Sequence, residues 1–300
     1  MSHGWPSPRH RQRHAPTAPH ELYDQVAEGA ADIVIRRYST SFGIASRLLA
    51  EPVRTHVRNI YALVRVADEI VDAPRPEGSP VEQARLLDEL EAQVAEALRT
   101  GHSANLVVHA FARTARHCGI EMDLVAPFFA SMRMDLDCPA HDEETFAAYV
   151  YGSAEVVGLM CLRTFVMELD DPQAAYEEMY AGARALGAGF QKVNFLRDLA
   201  ADVDTLGRCY FPGVDVESFD QETRDRLLDD IDADLATAAS VVPQLPVNSR
   251  RAVRAAHALF AELARELRRT PPAVIRRQRV RVTGARKARV LALAMARRDA

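Results

Sequence analysis

Two pairs of aspartates, far apart in the chain, have the residue type and spacing that divalent-cation chemistry requires. Asp68 and Asp72 are four residues apart, and Arg65 lies three residues before Asp68. On a helix these side chains share a face, with the carboxylates about 6 Å apart along the axis. The residues between them are mostly apolar, so the segment should be partly buried, and buried carboxylates need a cation. Taken alone, the first pair is more typical of a solvated acidic helix face than of a site.

The second pair belongs to a longer polar stripe. Gln191, Asn194, Asp198 and Asp202 recur at spacings of three, four and four, which predicts a single row along one helix. Arg197 flanks this row. A solvent-exposed face would usually carry Lys or Arg instead, so the composition of the stripe indicates a site.

Together, the two stripes predict a magnesium–diphosphate site between two facing helices. Each stripe contains Asp-x-x-x-Asp with an arginine one or three residues ahead of it. Hard oxygen ligands suit Mg²⁺, which keeps several waters and is commonly completed by the phosphates of a substrate. Guanidinium groups bind phosphate oxygens in a bidentate manner, so the arginines fit the same chemistry.

Helices must position these stripes, because apolar residues recur every three to four positions from Glu21 onward. No strictly alternating strand pattern is evident, so the predicted fold class is all-α. The predicted helices cover residues 21–37, 51–73, 81–100, 103–118, 122–136, 143–168, 172–205, 220–242, 248–269 and 273–297. This number of helices predicts a large bundle that can enclose a central cavity.

Composition predicts one folded domain with a basic end. Residues 1–20 are rich in Pro, His, Arg and Ser and are predicted to be a disordered tail. Residues 21–300 are predicted to form a single catalytic domain whose C-terminal end, 271–300, is basic. The chain carries 42 acidic and 37 basic residues, and many of the basic ones follow Arg268. The remainder is therefore strongly acidic, which disfavours nucleic acid as a partner.

The expected location is the cytoplasm, with peripheral contact at the inner face of the membrane. The N-terminus has no apolar signal region, and the apolar run Val156–Met167 is shorter than the ~20 residues that span a bilayer. The four cysteines lack CxxC spacing, which predicts free thiols in a reducing compartment. The basic end is expected either to contact anionic lipid or to be an ordinary solvated helix.

Several ordered passages resemble the squalene/phytoene synthase family, the head-to-head prenyltransferases. Residues 38–42, Tyr-Ser-Thr-Ser-Phe, are similar to the Ser-x-Ser-Phe flap of that family, and residues 65–72 are similar to its first aspartate motif. Residues 149–160 resemble its Tyr-x-Tyr helix, and residues 191–212 resemble its second signature almost completely. The resemblance extends over roughly residues 30–295 and looks most like bacterial phytoene synthases.

The resemblance implies a class I isoprenoid-synthase bundle with the two aspartate motifs facing each other across the mouth of a hydrophobic cavity. Metal ligands for Mg²⁺, for which Mn²⁺ would substitute, are implied to be Asp68, Asp72, Asp198 and Asp202, assisted by Asn194. Substrate-binding residues are implied to be Ser39, Ser41 and Phe42 in the flap, and Arg65, Gln191, Asn194, Arg197, Arg208 and Tyr210. Tyr149 is implied to be a catalytic residue, and both Tyr149 and Gln191 are implied to line the cavity near the diphosphates.

Three positions depart from the family pattern, and none of them is an aspartate of either motif. Tyr38 stands where some members have His, Glu155 replaces a usual Gly, and Phe260 replaces a late tyrosine near the cavity. The side chains expected to line an apolar cavity are Phe42, Leu63, Val156, Val157, Leu159 and Phe165.

The resemblance implies a Mg²⁺-dependent prenyltransferase that joins two molecules of geranylgeranyl diphosphate to give phytoene, without NADPH. The alternative within the family is a squalene- or presqualene-type synthase that acts on farnesyl diphosphate. A terpene cyclase is less favoured because those enzymes usually carry Asp-Asp-rich motifs, whereas Glu69 follows Asp68 here. A non-catalytic helical scaffold is least favoured, because such a protein would be expected to lose the aspartates or arginines.

Overall fold

Helices form the regular elements of the part of the chain that the structure describes. The computed structural model describes residues 18–39, 41–72, 79–137 and 140–296. Within these ranges there is no β-strand, and one isolated parallel bridge joins Ala140 to Cys209. The all-α prediction is confirmed. The α-helices are α1 (Pro19–Tyr38), α2 (Ser41–Ser46), α3 (Val53–Asp72), α4 (Pro80–Thr100), α5 (Leu106–Cys118), α6 (Met122–Asp137), α7 (Glu143–Val150), α8 (Val156–Val166), α9 (Pro172–Ala201), α10 (Gln221–Val241), α11 (Val247–Arg269), α12 (Pro272–Ile275) and α13 (Gly284–Ala296).

The predicted helix ends agree with the observed ones to within about three residues, with two exceptions. The last predicted helix, 273–297, is wrong because the chain forms the short α12, a non-helical stretch and then α13. The short helix α2 was not predicted, because six residues are too few to show a period. Most of the predicted tail, residues 1–17, lies outside the described residues.

Local sequence signals explain where the helix of the second motif begins and ends. The Asp171 carboxylate accepts a hydrogen bond from the Ala174 amide at 3.0 Å, and Pro172 occupies the first turn. After α9, a π-helical turn over Asp202–Leu206 leads to Gly207, whose φ of 68° is left-handed. The second aspartate of this motif therefore lies in a π turn, an element that often occurs at functional sites.

Helices α8 and α9 pack with their backbones in close contact. A Cβ atom on Gly158 would lie 2.5 Å from the carbonyl oxygen of Ala183, and one on Gly187 would lie 2.4 Å from that of Ala154. Only glycine fits at either position. A second π turn, Tyr151–Glu155, joins α7 to α8 directly in front of this contact.

The continuous helical segment Glu143–Val166 is long and apolar enough to cross a membrane by length and composition. It is longer than the apolar run noted in the sequence because α7, the π turn and α8 are continuous. Half of its most apolar window is buried inside the bundle, as it is for a core helix of a folded domain.

Candidate active site

A cavity of about 500 Å³ runs between α3, α8, α9 and α11, and its two ends differ in chemistry. The polar end is lined by Tyr38, Ser39, Tyr61, Arg65, Ser153, Gln191, Asn194, Arg197 and Arg279. The apolar end is lined by Leu49, Val57, Leu162, Phe165, Met179, Val242, Leu245, Ala252 and Val253. Along α9, Gln191 and Met179 are twelve residues apart, which corresponds to about 18 Å.

The first aspartate motif lies beside the polar end, on the last turns of α3. The Arg65 guanidinium is 3.9 Å from the Asp68 carboxylate, pairs with Glu69 and lies 4.6 Å above the ring centre of Tyr38. Burial and the negative charge of Asp72 raise the pKa of Asp68 to about 7. The nearby positive charge therefore does not fully stabilise the ionised form of Asp68.

The second motif is held at the same end by two arginines. Arg197 Nε donates to the Asp198 carboxylate at 3.0 Å, and Arg279 Nε pairs with the same oxygen at 2.8 Å. Burial and the charges of Asp198 and Asp72 raise the pKa of Asp202 to about 7. Asp72 is on α3, so a charge of the first motif contributes to the raised pKa of Asp202 in the second.

Arg208, which lies six residues after Asp202, joins the segment that follows the second motif to the first motif. It follows the second motif and is 7% exposed. Its Nη1 donates to Asp72 Oδ1 at 2.7 Å, and its Nη2 donates to the Val71 carbonyl at 3.2 Å. The structure therefore brings together segments that are 136 residues apart in the chain.

A buried carboxylate that is not part of either motif anchors this connection. Asp135 accepts hydrogen bonds from Tyr149 Oη at 2.9 Å and from Tyr210 Oη at 3.2 Å, and Arg208 Nη1 is 3.4 Å away. Burial raises the pKa of Asp135 to about 6, although the positive charge of Arg208 opposes the shift.

Tyr149 is not on the cavity wall, where the resemblance implied it would be. It is 2% exposed, and its ring lies 5.2 Å from that of Tyr210 and 5.0 Å from that of His141. Phe195 stacks on Tyr210 at 4.1 Å, which completes an aromatic layer next to Asp135. Burial raises the pKa of Tyr149 well above its usual value, so its hydroxyl stays protonated and can donate.

Other residues singled out from the sequence do reach the cavity. Ser39, Arg65, Gln191, Asn194 and Arg197 all line its polar end. Gln191 Nε2 donates to Ser153 Oγ at 3.4 Å. The side chains of the remaining flap residues, Ser41 and Phe42, lie outside the described residues.

Three of the six side chains that were expected to line the apolar cavity do not line it. Val157 and Phe165 line the cavity, whereas Leu63, Val156 and Leu159 are at most 2% exposed and belong to the core between α3, α6 and α8. The sequence could not separate these sets, because both faces of α8 are apolar.

The departures from the family pattern are accommodated locally. Glu155 pairs with Arg184 of α9 and does not line the cavity. Phe260 does line it, and its ring stacks on Phe190 with the centroids 3.8 Å apart. Tyr38 lines the polar end beneath the Arg65 guanidinium.

Sequence reasoning missed two charged residues of the site. Asp135 lies in the last turn of a largely apolar helix and has no second carboxylate at a spacing of three or four, so it gives little signal. Arg279 was grouped with the basic end, yet its neighbours Val280 and Val282 are buried and hold it against the bundle. The alternation of Arg and Val over residues 279–282 was the available signal.

The donor set of the two motifs fits a hard divalent cation. Burial, together with neighbouring carboxylates, raises the pKa of Asp68 and of Asp202, and a cation would offset both effects. Among the described residues, no three His, Cys, Asp or Glu side chains form a group that could hold an ion on their own.

Comparison with known proteins identifies the sequence family. The sequence profile described as squalene/phytoene synthase matches residues 35–286. A bifunctional lycopene cyclase/phytoene synthase of Blakeslea trispora is 28% identical over 271 residues, which are 78% of this chain and 43% of that protein. The 15-cis-phytoene synthase of a Paracoccus species is 32% identical over 190 residues, which are 60% of this chain and 58% of that enzyme. The matched region thus spans about half the length of these relatives.

Solved structures show the same fold. A dehydrosqualene synthase crystallised with a ligand superposes with a TM-score of 0.76 at 20% identity, over 92% of this chain and 98% of that one. The squalene synthase HpnC from Alicyclobacillus acidocaldarius superposes with a TM-score of 0.70 at 20% identity, over 83% of this chain and 95% of that one.

Proposed function

Because the chain belongs to the squalene/phytoene synthase family, we propose that it condenses two molecules of geranylgeranyl diphosphate head to head to form phytoene. The observation that carries the proposal is the meeting of the two aspartate motifs, through Arg208 and Asp72, beside the polar end of one apolar cavity. A prenyl diphosphate has matching chemistry, with a charged head and a long apolar tail.

Cavity length favours a twenty-carbon substrate. The wall from Gln191 to Met179 is about 18 Å long. A prenyl chain has four main-chain carbons per five-carbon unit and advances about 1.3 Å per carbon–carbon bond along an extended zigzag, so a twenty-carbon chain measures about 20 Å and a fifteen-carbon one about 14 Å. The longer chain would reach the apolar end, whereas the shorter one would leave it partly empty.

The charged residues of the polar end would bind and orient the diphosphate. Arg65, Arg197 and Arg279 line the cavity there and present guanidinium groups suited to phosphate oxygens. Asp68, Asp72, Asp198 and Asp202, with Asn194, would hold Mg²⁺. Mg²⁺, when bound, neutralises diphosphate charge and makes it a better leaving group.

The apolar wall would protect the reacting carbons from water. Loss of diphosphate, which takes the electron pair of the carbon–oxygen bond, leaves an allylic cation that the double bond of the second substrate captures. In the family this leads, with loss of a proton, to a cyclopropylcarbinyl diphosphate. Loss of its diphosphate gives a second cation, which rearranges and loses another proton to give the hydrocarbon product. Val157, Phe165 and Phe260 line the cavity along this path and exclude water from the cations.

We also propose peripheral contact of the basic C-terminal end with an anionic membrane, since the product is insoluble in water. Arg276, Arg279 and Arg286 pair with acidic residues of the bundle, so they contribute little to such contact. Arg277, Arg281 and Arg289 are exposed and remain suited to it. The chain is expected to sediment with vesicles that contain anionic lipid and less with neutral ones; equal binding would contradict this.

The test of the reaction is incubation with geranylgeranyl or farnesyl diphosphate and Mg²⁺, with and without NADPH, followed by mass analysis of the hydrocarbon. We expect a forty-carbon hydrocarbon that does not depend on NADPH. A thirty-carbon product from farnesyl diphosphate alone would instead assign the squalene-type reaction.

Asp198→Ala should abolish turnover while helical content is retained. Asp204→Ala is the matched control, because Asp204 is an exposed carboxylate just beyond the same motif. Retained activity in Asp198→Ala would remove this residue from the site.

A further inference from the structure

The Asp135 carboxylate receives donors from two other segments of the chain. It lies in the last turn of α6, and its side chain is 4% exposed. Tyr149, the last-but-one residue of α7, lies 2.9 Å from both of its oxygens. Tyr210 and Arg208 approach from the segment after the second motif, at 3.2 and 3.4 Å.

These contacts suit a residue that holds others in place. Asp135 is not part of the cavity wall, and hydroxyl and guanidinium groups already occupy its oxygens. Asp72 differs, because 40% of its side chain is accessible. Of the two carboxylates that share Arg208, only Asp72 is therefore open to a ligand.

Asp135 influences the first motif through Arg208, which contacts both Asp135 and Asp72. Arg208 Nη1 lies 2.7 Å from Asp72 and 3.4 Å from Asp135. If Asp72 engages a cation, Asp135 is the carboxylate that still compensates the buried guanidinium. Without Asp135, Arg208 would have to compete with the cation for Asp72.

We propose that Asp135 is a positioning residue that holds Arg208 and Tyr149, so that Asp72 stays free to engage a magnesium–diphosphate group. This inference rests on the proposed function, because it assumes that Asp72 faces a cation there.

The first test is a titration with MgCl₂ at a fixed concentration of inorganic pyrophosphate, followed by the thermal midpoint of the full chain. Asp135→Asn keeps the size of the side chain but removes its charge. The Mg²⁺ concentration that gives half of the midpoint rise should increase about tenfold, the usual scale for residues that support metal ligands. Asp137→Asn, an exposed position two residues later on the same helix, should leave it unchanged. An unchanged Mg²⁺ dependence in a folded Asp135→Asn chain overturns the proposal.

A second comparison separates positioning from direct ligation. In an Arg208→Gln background no guanidinium competes for Asp72, so adding Asp135→Asn should no longer shift the Mg²⁺ dependence. A tenfold shift in that background as well would make Asp135 a ligand and overturn the positioning role.

Asp135→Glu, which keeps the charge, covers the case in which Asp135→Asn does not fold. It should restore most of the wild-type Mg²⁺ dependence, and a shift of tenfold or more in folded Asp135→Glu overturns the role assigned to the charge.

Hydrocarbon formation is measured separately. A wild-type chain that shows the midpoint rise but makes no forty-carbon product refutes the proposed function, while the titration still decides the role of Asp135. A wild-type chain with no rise on adding Mg²⁺ and pyrophosphate overturns both.

Discussion

Individual residues of the site carry unbalanced negative charge. Arg208 serves both Asp72 and Asp135, and Arg197 and Arg279 both serve Asp198. Burial and neighbouring carboxylates raise the pKa values of Asp68 and Asp202 to about 7, although the Arg65 guanidinium lies 3.9 Å from Asp68. Their ionisation costs folding free energy unless a cation is bound.

The raised pKa of Asp202 predicts a pH-dependent effect of Asp202→Asn on the metal-free protein. The pKa in the folded chain, about 7, lies above the ordinary value of 3.8, so the free energy of unfolding falls as pH rises between these values and stays low above them. In EDTA, Asp202→Asn should therefore raise the thermal midpoint at pH 8 and have a smaller effect at pH 5. An equal effect at both pH values would show that the pKa of Asp202 is not raised.

Arg279 is predicted to bind diphosphate from outside the two motifs. It lines the cavity and pairs with Asp198, although it belongs to the C-terminal segment. Arg279→Gln should weaken binding of inorganic pyrophosphate in Mg²⁺ by about tenfold or more, since a charge-assisted hydrogen bond is worth ~1.5–3 kcal/mol. Arg281→Gln, two residues later and exposed, is the control in the same calorimetric titration. Equal affinities for both variants would exclude Arg279 from the site.

Among the elements, the pair α8–α9 sets the geometry of the cavity wall. Gly158 and Gly187 allow the two backbones to touch, so that one face of each helix lines the same cavity. The ion pair between Glu155, directly before α8, and Arg184 of α9 also links these segments, and it lies outside the cavity wall.

Gly158→Ala should destabilise the fold, because its Cβ would meet the Ala183 carbonyl oxygen at 2.5 Å. We expect a loss of ~1–3 kcal/mol in the free energy of unfolding, measured by urea denaturation. Gly29→Ala in α1 is the control, since nothing lies within 4 Å of its Cβ and alanine favours helix by up to ~1 kcal/mol. If Gly158→Ala were as stable as Gly29→Ala, the close packing of α8 on α9 would be refuted.

Helix α11 is predicted to limit the length of the substrate chain. Ala252 lines the apolar end, about 12 Å along the helix from Phe260. Ala252→Leu should fill this end and lower kcat/KM for the twenty-carbon substrate relative to the fifteen-carbon one, by about tenfold. Ala258→Leu, on the same helix but not in the cavity wall, is the control. If folded Ala252→Leu has the wild-type ratio of kcat/KM for the two substrates, the apolar end does not limit the length of the substrate chain.

Across the whole molecule, the basic C-terminal end folds back onto an acidic bundle. Arg276 pairs with Glu217, Arg279 with Asp198, and Arg286 with Glu266. These pairs attach residues after α11 to the bundle, and the Arg279 pair attaches them to the site, so part of the basic charge of this end is neutralised within the fold.

The helices and the two motifs could be predicted from the sequence because they depend on local spacing. Period and breakers located the helices, and the intervals of four between aspartates placed both stripes. Asp135 and the cavity lining could not be predicted, since they depend on which distant segments meet. Val157 lines the cavity, whereas its neighbour Val156 is buried in the core. Which of these two faces of α8 lines the cavity depends on how α8 packs against α9.

The most direct test of the account is a crystal structure of the chain with Mg²⁺ and inorganic pyrophosphate. The account predicts pyrophosphate between α3 and α9, bridged by ions at about 2.1 Å from carboxylate oxygens of both motifs, Asp68 or Asp72 on one side and Asp198 or Asp202 on the other. Pyrophosphate bound away from the cavity, or ions that contact one motif only, would contradict it.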